Sequence, residues 1–399
     1  MIILVVNCGS SSLKYQVLDM TDESVLCKGN AEKIGLEDSF IGHKKSGKSW
    51  TVKAFCKDHT AAFKEVIKIL LDPEMGVIKS TDEIGAVGHR VLHGGQKFAC
   101  SILVDDEVLQ AIEDCIPLGP LHNPANLMGI KACMEAMPGL KNVAVFDTAF
   151  HQTMPPSSYM YGLPYEYYTK YGIRKYGFHG TSHRFVSKRA AEFLGRDPEG
   201  LKLISCHIGS GASVCAIKDG KCYDTSMGLT PLEGLMMGTR CGDLDPAAIT
   251  FIQKREGLTA DELDTLMNKK SGLLGIGGYS DARDIHKATE EGSERAKLAF
   301  DMFVHRVKQY IGAYMADLNG CDALIFTAGL GENDDLFREM VCEDMDYLGI
   351  KLDLEKNKGC RQEADVTGEG GKVRILILPT NEELMIARDT FDIVTGKII

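Results

Sequence analysis

Residues 1–6 form a short apolar run rich in β-branched side chains, and it stops at the turn Asn7-Cys8-Gly9-Ser10-Ser11-Ser12. A second strand is expected over 14–19. The same device recurs later: an apolar run over 201–206 leads into His207-Ile208-Gly209-Ser210-Gly211-Ala212-Ser213, and a returning strand covers 214–217. The turn Lys218-Asp219-Gly220-Lys221 then opens a third strand. Further apolar runs predict strands over 84–91, 142–146, 323–327 and 373–378. Apolar residues at helical spacing predict helices over 105–115, 124–136, 182–194 and 294–318, with Pro124 in the first turn of its helix. In the last of these, Phe300, Phe303, Val304, Val307, Ile311, Tyr314 and Leu318 form one stripe, suited to a core face or a subunit interface.

Strands alternating with helices indicate an α/β fold. The repeated strand, Gly/Ser turn and returning strand predict two related halves facing each other across a cleft. The Pro/Tyr-rich stretch 154–171 reads as the crossover between them. The expected division is 1–150 and 151–380, with a C-terminal helical segment over 381–399 returning to the first half.

Composition narrows the function. A chain of 399 residues, 44% hydrophobic and 25% charged, has the make-up of a globular protein with two ordinary domains. Its longest apolar runs are too short to span a bilayer, and residues 1–6 lack the flanks of a signal peptide, so a cytoplasmic location is expected. The 13 cysteines are scattered singly without a CxxC pair, which predicts reduced thiols used as small apolar fillers. A formal net charge of −11 argues against nucleic acid or an anionic membrane as the main partner. Small anionic ligands remain open, because a local arginine cluster can reverse the field.

Several motifs could carry such chemistry. The first Gly/Ser turn offers backbone N–H groups and hydroxyls beside Lys14, which suits a phosphate, although similar turns join strands in many proteins. No GxxxxGK[ST] motif is present. The turn His207–Ser213 has the same ambiguity. A third glycine-rich turn, Ala328-Gly329-Leu330-Gly331-Glu332-Asn333, follows an apolar strand, where α/β sheets place ligands. Arg90, Arg240 and Arg283 lie beside small or glycine residues that let a backbone approach a ligand, and guanidinium pairs two-pronged with carboxylate or phosphate. Asp147 ends the strand 142–146, where it could serve catalysis, a metal's water shell or a helix N-cap. His179, in Gly177-Phe178-His179-Gly180, precedes a helix for which Thr181 or Ser182 is the expected cap. His122, before Asn123-Pro124, is a similar candidate. Acids in Thr380-Asn381-Glu382-Glu383 could hold Mg²⁺ or simply favour a helix first turn.

Taken in this order, end to end, these motifs resemble the acetate kinase family of acyl-carboxylate kinases. Gly88–Gly95, Phe146–His151 and Gly177–His183 carry most of the likeness. The resemblance implies two actin-like (ribonuclease H-like) domains related by duplication, and a reversible phosphoryl transfer from ATP to acetate that gives acetyl phosphate and ADP. It implies Mg²⁺, with Mn²⁺ able to substitute, held by Asn7 and Glu382. Lys14 would meet the nucleotide phosphates, Arg90 the substrate carboxylate, and Asp147 would be the active-site acid. His179 and Arg240 would stabilise the transition state. His207, Ile208, Gly209, Ser210 and Gly211, with Asp281, Ala282 and Arg283 and with Gly329, Leu330, Gly331, Glu332 and Asn333, would bind ATP. Val91, Leu92, Leu121, His122, Phe178 and Pro231 would lie at or near the acyl pocket.

The partners so implied are these small molecules and a second copy of the chain in a homodimer, with an interface in the second domain. The sequence departs from the family pattern at Ser210, where asparagine is usual, at Leu92, where valine is common, and at Asp334, where serine is frequent. Three rivals are a propionate or butyrate kinase, a diphosphate-dependent enzyme and a silent actin-like scaffold. Retention of the glycine-rich turn at 329–333 speaks against the second, and of Arg90, Asp147, His179 and Arg240 against the third.

Overall fold

The computed structural model describes residues 1–120 and 122–397. The chain divides into two compact units, Met1–Gln152 with Asn381–Ile399, and Thr153–Thr380. In the first, strands β1 (Ile2–Cys8), β2 (Ser12–Asp19), β3 (Ser24–Glu32), β4 (Phe40–Lys45), β5 (Lys48–Lys53), β6 (Ile84–Val91), β7 (Ile102–Leu103) and β8 (Asn142–Phe146) form one sheet. Its order is β5-β4-β3-β2-β1-β6-β8-β7. In the second, β9 (Lys202–Ile208), β10 (Ala212–Lys218), β11 (Lys221–Thr225), β12 (Ala323–Thr327), β13 (Ala364–Asp365) and β14 (Arg374–Ile377) give the order β11-β10-β9-β12-β14-β13.

The two sheets share one design. In each, two antiparallel pairings (β3/β2/β1 and β11/β10/β9) are followed by two parallel ones (β1/β6/β8 and β9/β12/β14). The ribonuclease H-like order therefore occurs twice. The strands β8 and β12, each paired in parallel with an inner neighbour, are buried at every residue, as strands covered on both faces must be.

Glycine decides how the first unit closes. A Cβ on Gly88 of β6 would lie 2.3 Å from Thr390 Oγ1 and 2.6 Å from Ile386 Cγ2, so only glycine lets the C-terminal helix Glu382–Val394 seat on that strand. Ile386 and Ala387 of that helix then join Ile3, Val5, Ala86, Val143 and Val145 in one cluster. Phe63, Val66 and Leu70 of the helix His59–Leu71 pack with Leu4, Val6 and Leu13 in another. Fully burying each such side chain is worth about 1.5–3 kcal/mol.

In the second unit the helix Glu294–Asp317 packs against β9 and β10. Its stripe from Phe300 to Leu318 is buried within that unit, so it is core and not a subunit surface. The 13 cysteines are free thiols, and most are buried. No helix among the described residues is long and apolar enough to cross a membrane. The segment read as a crossover contains two short helices, Pro156–Tyr159 and Tyr165–Tyr171.

Candidate active site

The β1–β2 pairing sets Asn7 directly opposite Lys14, and the Gly9 N–H donates to the Ser12 carbonyl at 2.8 Å to close the turn between them. Beside this turn lies a cavity of about 180 Å³ lined by Asn7, Lys14, Arg90, Leu92, His122 and Asn126 among others. Five of those six were singled out in the sequence. Asn126 was not, yet it welds the site together. Its Nδ2 donates to the Cys8 carbonyl at 2.9 Å, and its Oδ1 accepts from the Leu92 N–H at 3.0 Å. Asn123 does the same for the next residue, bonding both the N–H and the carbonyl of His93. Two asparagines in the first turn of a buried helix were the available signal, since buried amides must find partners. Leu121 lies outside the described residues.

Arg90 leaves the end of β6 with its side chain about a quarter exposed, while the Asp147 carboxylate just beyond β8 is fully buried. The guanidinium grips that carboxylate with two prongs, Nη2 to Oδ2 at 2.7 Å and Nε to Oδ1 at 3.2 Å. Asp147 is therefore a partner of Arg90 and not a helix cap. Glu382 approaches the same guanidinium, 3.9 Å from Nε. Burial pushes the Glu382 carboxyl up to about 7, Arg90 counteracts this, and Asp147 and Glu383 add to the rise. Asn7 and Glu382 carry the hard oxygen donors that Mg²⁺ selects.

The second unit gathers another set. His179 adopts the left-handed conformation, φ 58°, and itself occupies the N-cap position of the helix Gly180–Leu194. The expected cap at Thr181 or Ser182 is therefore corrected, because both residues lie inside the helix. Ser182 Oγ instead bonds His207 Nδ1 and Thr380 Oγ1, each at 2.8 Å. A non-glycine residue at positive φ costs energy and persists where surroundings over-determine it. Here Ser213 Oγ bonds His179 Nδ1 at 2.9 Å, and the His179 and His207 rings stack with centroids 4.1 Å apart. A Cβ on Gly211 would lie 3.3 Å from His179 Nε2 and 3.5 Å from Arg240 Nη1, so the glycine brings the backbone against both side chains. Arg240 also donates to the Pro231 carbonyl at 3.1 Å, and burial lowers its affinity for its proton. Phe178 is buried in this unit.

The other candidate nucleotide residues fall on two helix starts. Asp281 caps the helix Ala282–Glu290 and takes the fork of the exposed Arg283, with Nη2 to Oδ2 at 2.7 Å. Gly329–Asn333 is not an open turn but lies within a short helix, Ala328–Asn333. Glu332 points inward there, its Oε1 accepting from the Ala328 N–H at 2.7 Å and the Thr380 N–H at 3.0 Å. Its carboxylate joins the ends of β12 and β14, which sequence spacing could not show.

The acetokinase family pattern matches residues 2–388. An acetate kinase of Desulfitobacterium hafniense is 60% identical, covering 98% of this chain and 99% of its own. One from Clostridium botulinum is 57% identical over the same shares. The crystal structure of Porphyromonas gingivalis acetate kinase is similar at a TM-score of 0.95 and 49% identity, covering 98% of this chain and 99% of its own. A propionate kinase from Francisella tularensis matches at a TM-score of 0.92 and 40% identity, over 100% of both chains. By the extent of these matches, the chain belongs to the acetokinase family.

Proposed function

We infer that this chain is a kinase that transfers the γ-phosphoryl group of ATP reversibly to the carboxylate of acetate, giving acetyl phosphate and ADP. The observation that carries the reading is Arg90 and Leu92 on one small cavity, a forked cation beside an apolar wall, in a chain 60% identical to an acetate kinase. A carboxylate oxygen attacks the γ-phosphorus as the bond to the ADP oxygen breaks. The nucleophile is already ionised at neutral pH and needs no general base. The barrier is the approach of two anions.

Arg90, aimed by Asp147, is assigned to the acetate carboxylate, and Lys14 to the phosphates. His179 and Arg240 are assigned to the charge on the phosphoryl group in flight, where preorganised donors act most strongly. Asp147 orients and does not accept a proton. The segments 207–211, 281–283 and 329–333 are assigned to the nucleotide, with Glu332 buttressing its loop from within. Leu92, His122, Phe178 and Pro231 are assigned to the acyl side. Asn7 and Glu382 would hold Mg²⁺, with Mn²⁺ able to take the same ligands, and the ion would neutralise phosphate charge when bound. The reading extends to a cytoplasmic homodimer, for which the exposed Leu244, Phe251, Leu298 and Met302 are candidate surface.

The test is a hydroxamate assay with ATP, Mg²⁺ and the two-, three- and four-carbon acids. Acetate should give the highest kcat/KM. No acyl phosphate from any acid would overturn the kinase reading. The similarity to a propionate kinase sustains one second reading, which a preference for propionate would favour.

A further inference from the structure

Asp334 follows the last residue of the segment 329–333, and His286 stands one helical turn beyond Arg283. The carboxylate of Asp334 does two things. Its Oδ1 accepts from the Phe337 N–H at 2.9 Å, capping the helix Asp335–Cys342, and its Oδ2 meets His286 Nε2 at 2.7 Å. The His286 ring is held against Phe300, with centroids 4.4 Å apart. The segment 329–333 is anchored by Glu332 to the Thr380 N–H and by Arg338 to the Gly331 and Glu332 carbonyls, while Arg283 pairs with Asp281 inside its own segment. The His286–Asp334 bond joins positions 48 residues apart and connects one segment to the other. The bond raises the affinity of His286 for its proton. Burial pushes Asp334 upward, but His286 and the Phe337 N–H outweigh it and the carboxyl is lowered. Each group thus favours the other's charged form.

We propose that His286 and Asp334 form a latch that fixes the spacing between segments 281–283 and 329–333 and thereby sets the affinity for the adenine nucleotide. The proposal rests on the assignment of those segments to the nucleotide. Both residues are positioning residues. With the latch open, the helix 282–290 can shift relative to the helix 328–333, and two half-sites must be ordered as the nucleotide binds.

Asp334→Ser isolates this role, because serine still caps the helix but cannot pair with His286. His286→Gln removes the charge from the other side. MgADP binding to the full chain is measured by calorimetry, with steady-state constants for ATP and acetate. Each variant should weaken MgADP and raise the ATP KM about 3- to 10-fold, as loss of a partly exposed charged bond allows. The acetate KM and kcat should change less than about two-fold, and the double variant should be no weaker than the poorer single one. Unchanged nucleotide affinity in both variants, even with a lowered Tm, overturns the latch and leaves acetate phosphorylation by the wild type intact. A wild type that binds no MgADP overturns both.

Discussion

The Arg90 guanidinium and the Asp147 carboxylate meet fork to fork although 57 residues separate them. The parallel pairing of β6 with β8 creates this meeting, since it sets Val91 opposite Phe146 and the Asp147 N–H on the Val91 carbonyl at 2.9 Å. Arg90 is thus held from behind while part of it lines the small cavity. Arg90→Ala should raise the acetate KM and lower kcat. It should also destabilise the fold by about 3–5 kcal/mol, because it strands a carboxylate that has no exposure. Urea denaturation alongside kinetics checks both effects. A variant of wild-type stability would show that Asp147 does not depend on Arg90.

His179 and Arg240 share the approach to Gly211. If they stabilise charge that exists only in flight, His179→Ala and Arg240→Ala should each lower kcat on the order of 100- to 1,000-fold, with a smaller change in the acetate KM. Near-normal kcat in both variants would sink the electrostatic mechanism.

Arg240 sits in a loop closed by Asp243. Asp243 Oδ1 accepts from the Gly234 N–H at 2.8 Å, and its Oδ2 accepts from Tyr310 Oη at 2.5 Å. Tyr310→Phe deletes one hydroxyl outside the set of phosphoryl-contacting candidates and leaves a carboxylate oxygen short of a donor. It should cost about 1–3 kcal/mol of stability and lower kcat more than it raises the acetate KM. An unchanged kcat with lowered stability would confine Tyr310 to folding.

The fold is legible in the sequence where one short segment determines its own environment. The strands β6, β8 and β12 were read to the residue because apolar side chains cover both of their faces. The outer strands β3, β4 and β5 went unread, since they are half exposed and carry lysines and glycines where a core strand would carry valines. The helix Pro246–Glu256 buries no residue, so its Ile249, Phe251 and Ile252 mark no core face of this chain. In the site, residue types in glycine-rich turns pointed to the candidates. Their supports did not show, because Asn126, Glu332 and Asp334 act on partners distant in sequence. The departure at Asp334 is legible only once His286 is seen beside it.

His89 ties stability to pH. It is buried in β6, donates from Nε2 to Asn142 Oδ1 at 2.8 Å, and burial depresses it from 6.5 to about 4, against the pull of that bond. Between those values the unfolded chain binds a proton that the folded chain refuses. The stability from neutral His89 is therefore complete above pH 6.5 and is lost as pH falls toward about 4, by up to about 3 kcal/mol. His89→Gln keeps the donor and removes the titration, so its urea midpoint should vary less between pH 7.5 and 4.5. Equal slopes in the two proteins would exclude His89 as the source.

Leu92 decides acyl size if the cavity holds acetate. It is 6% exposed and lines the same space of about 180 Å³ as Arg90. With the carboxylate on Arg90, the alkyl end points to that apolar wall, where leucine leaves less room than the smaller valine common in the family. One methylene in an apolar pocket is worth roughly 1–3 kcal/mol, so acetate should exceed propionate by about 10- to 200-fold in kcat/KM, with butyrate poorer still. Leu92→Ala should narrow that ratio by improving propionate relative to acetate. A Leu92 that only fills core predicts something else: a loss of about 2–5 kcal/mol in stability with the acid profile unchanged. Measuring kcat/KM for both acids on both proteins separates the two roles, and an unchanged ratio would remove Leu92 from the pocket.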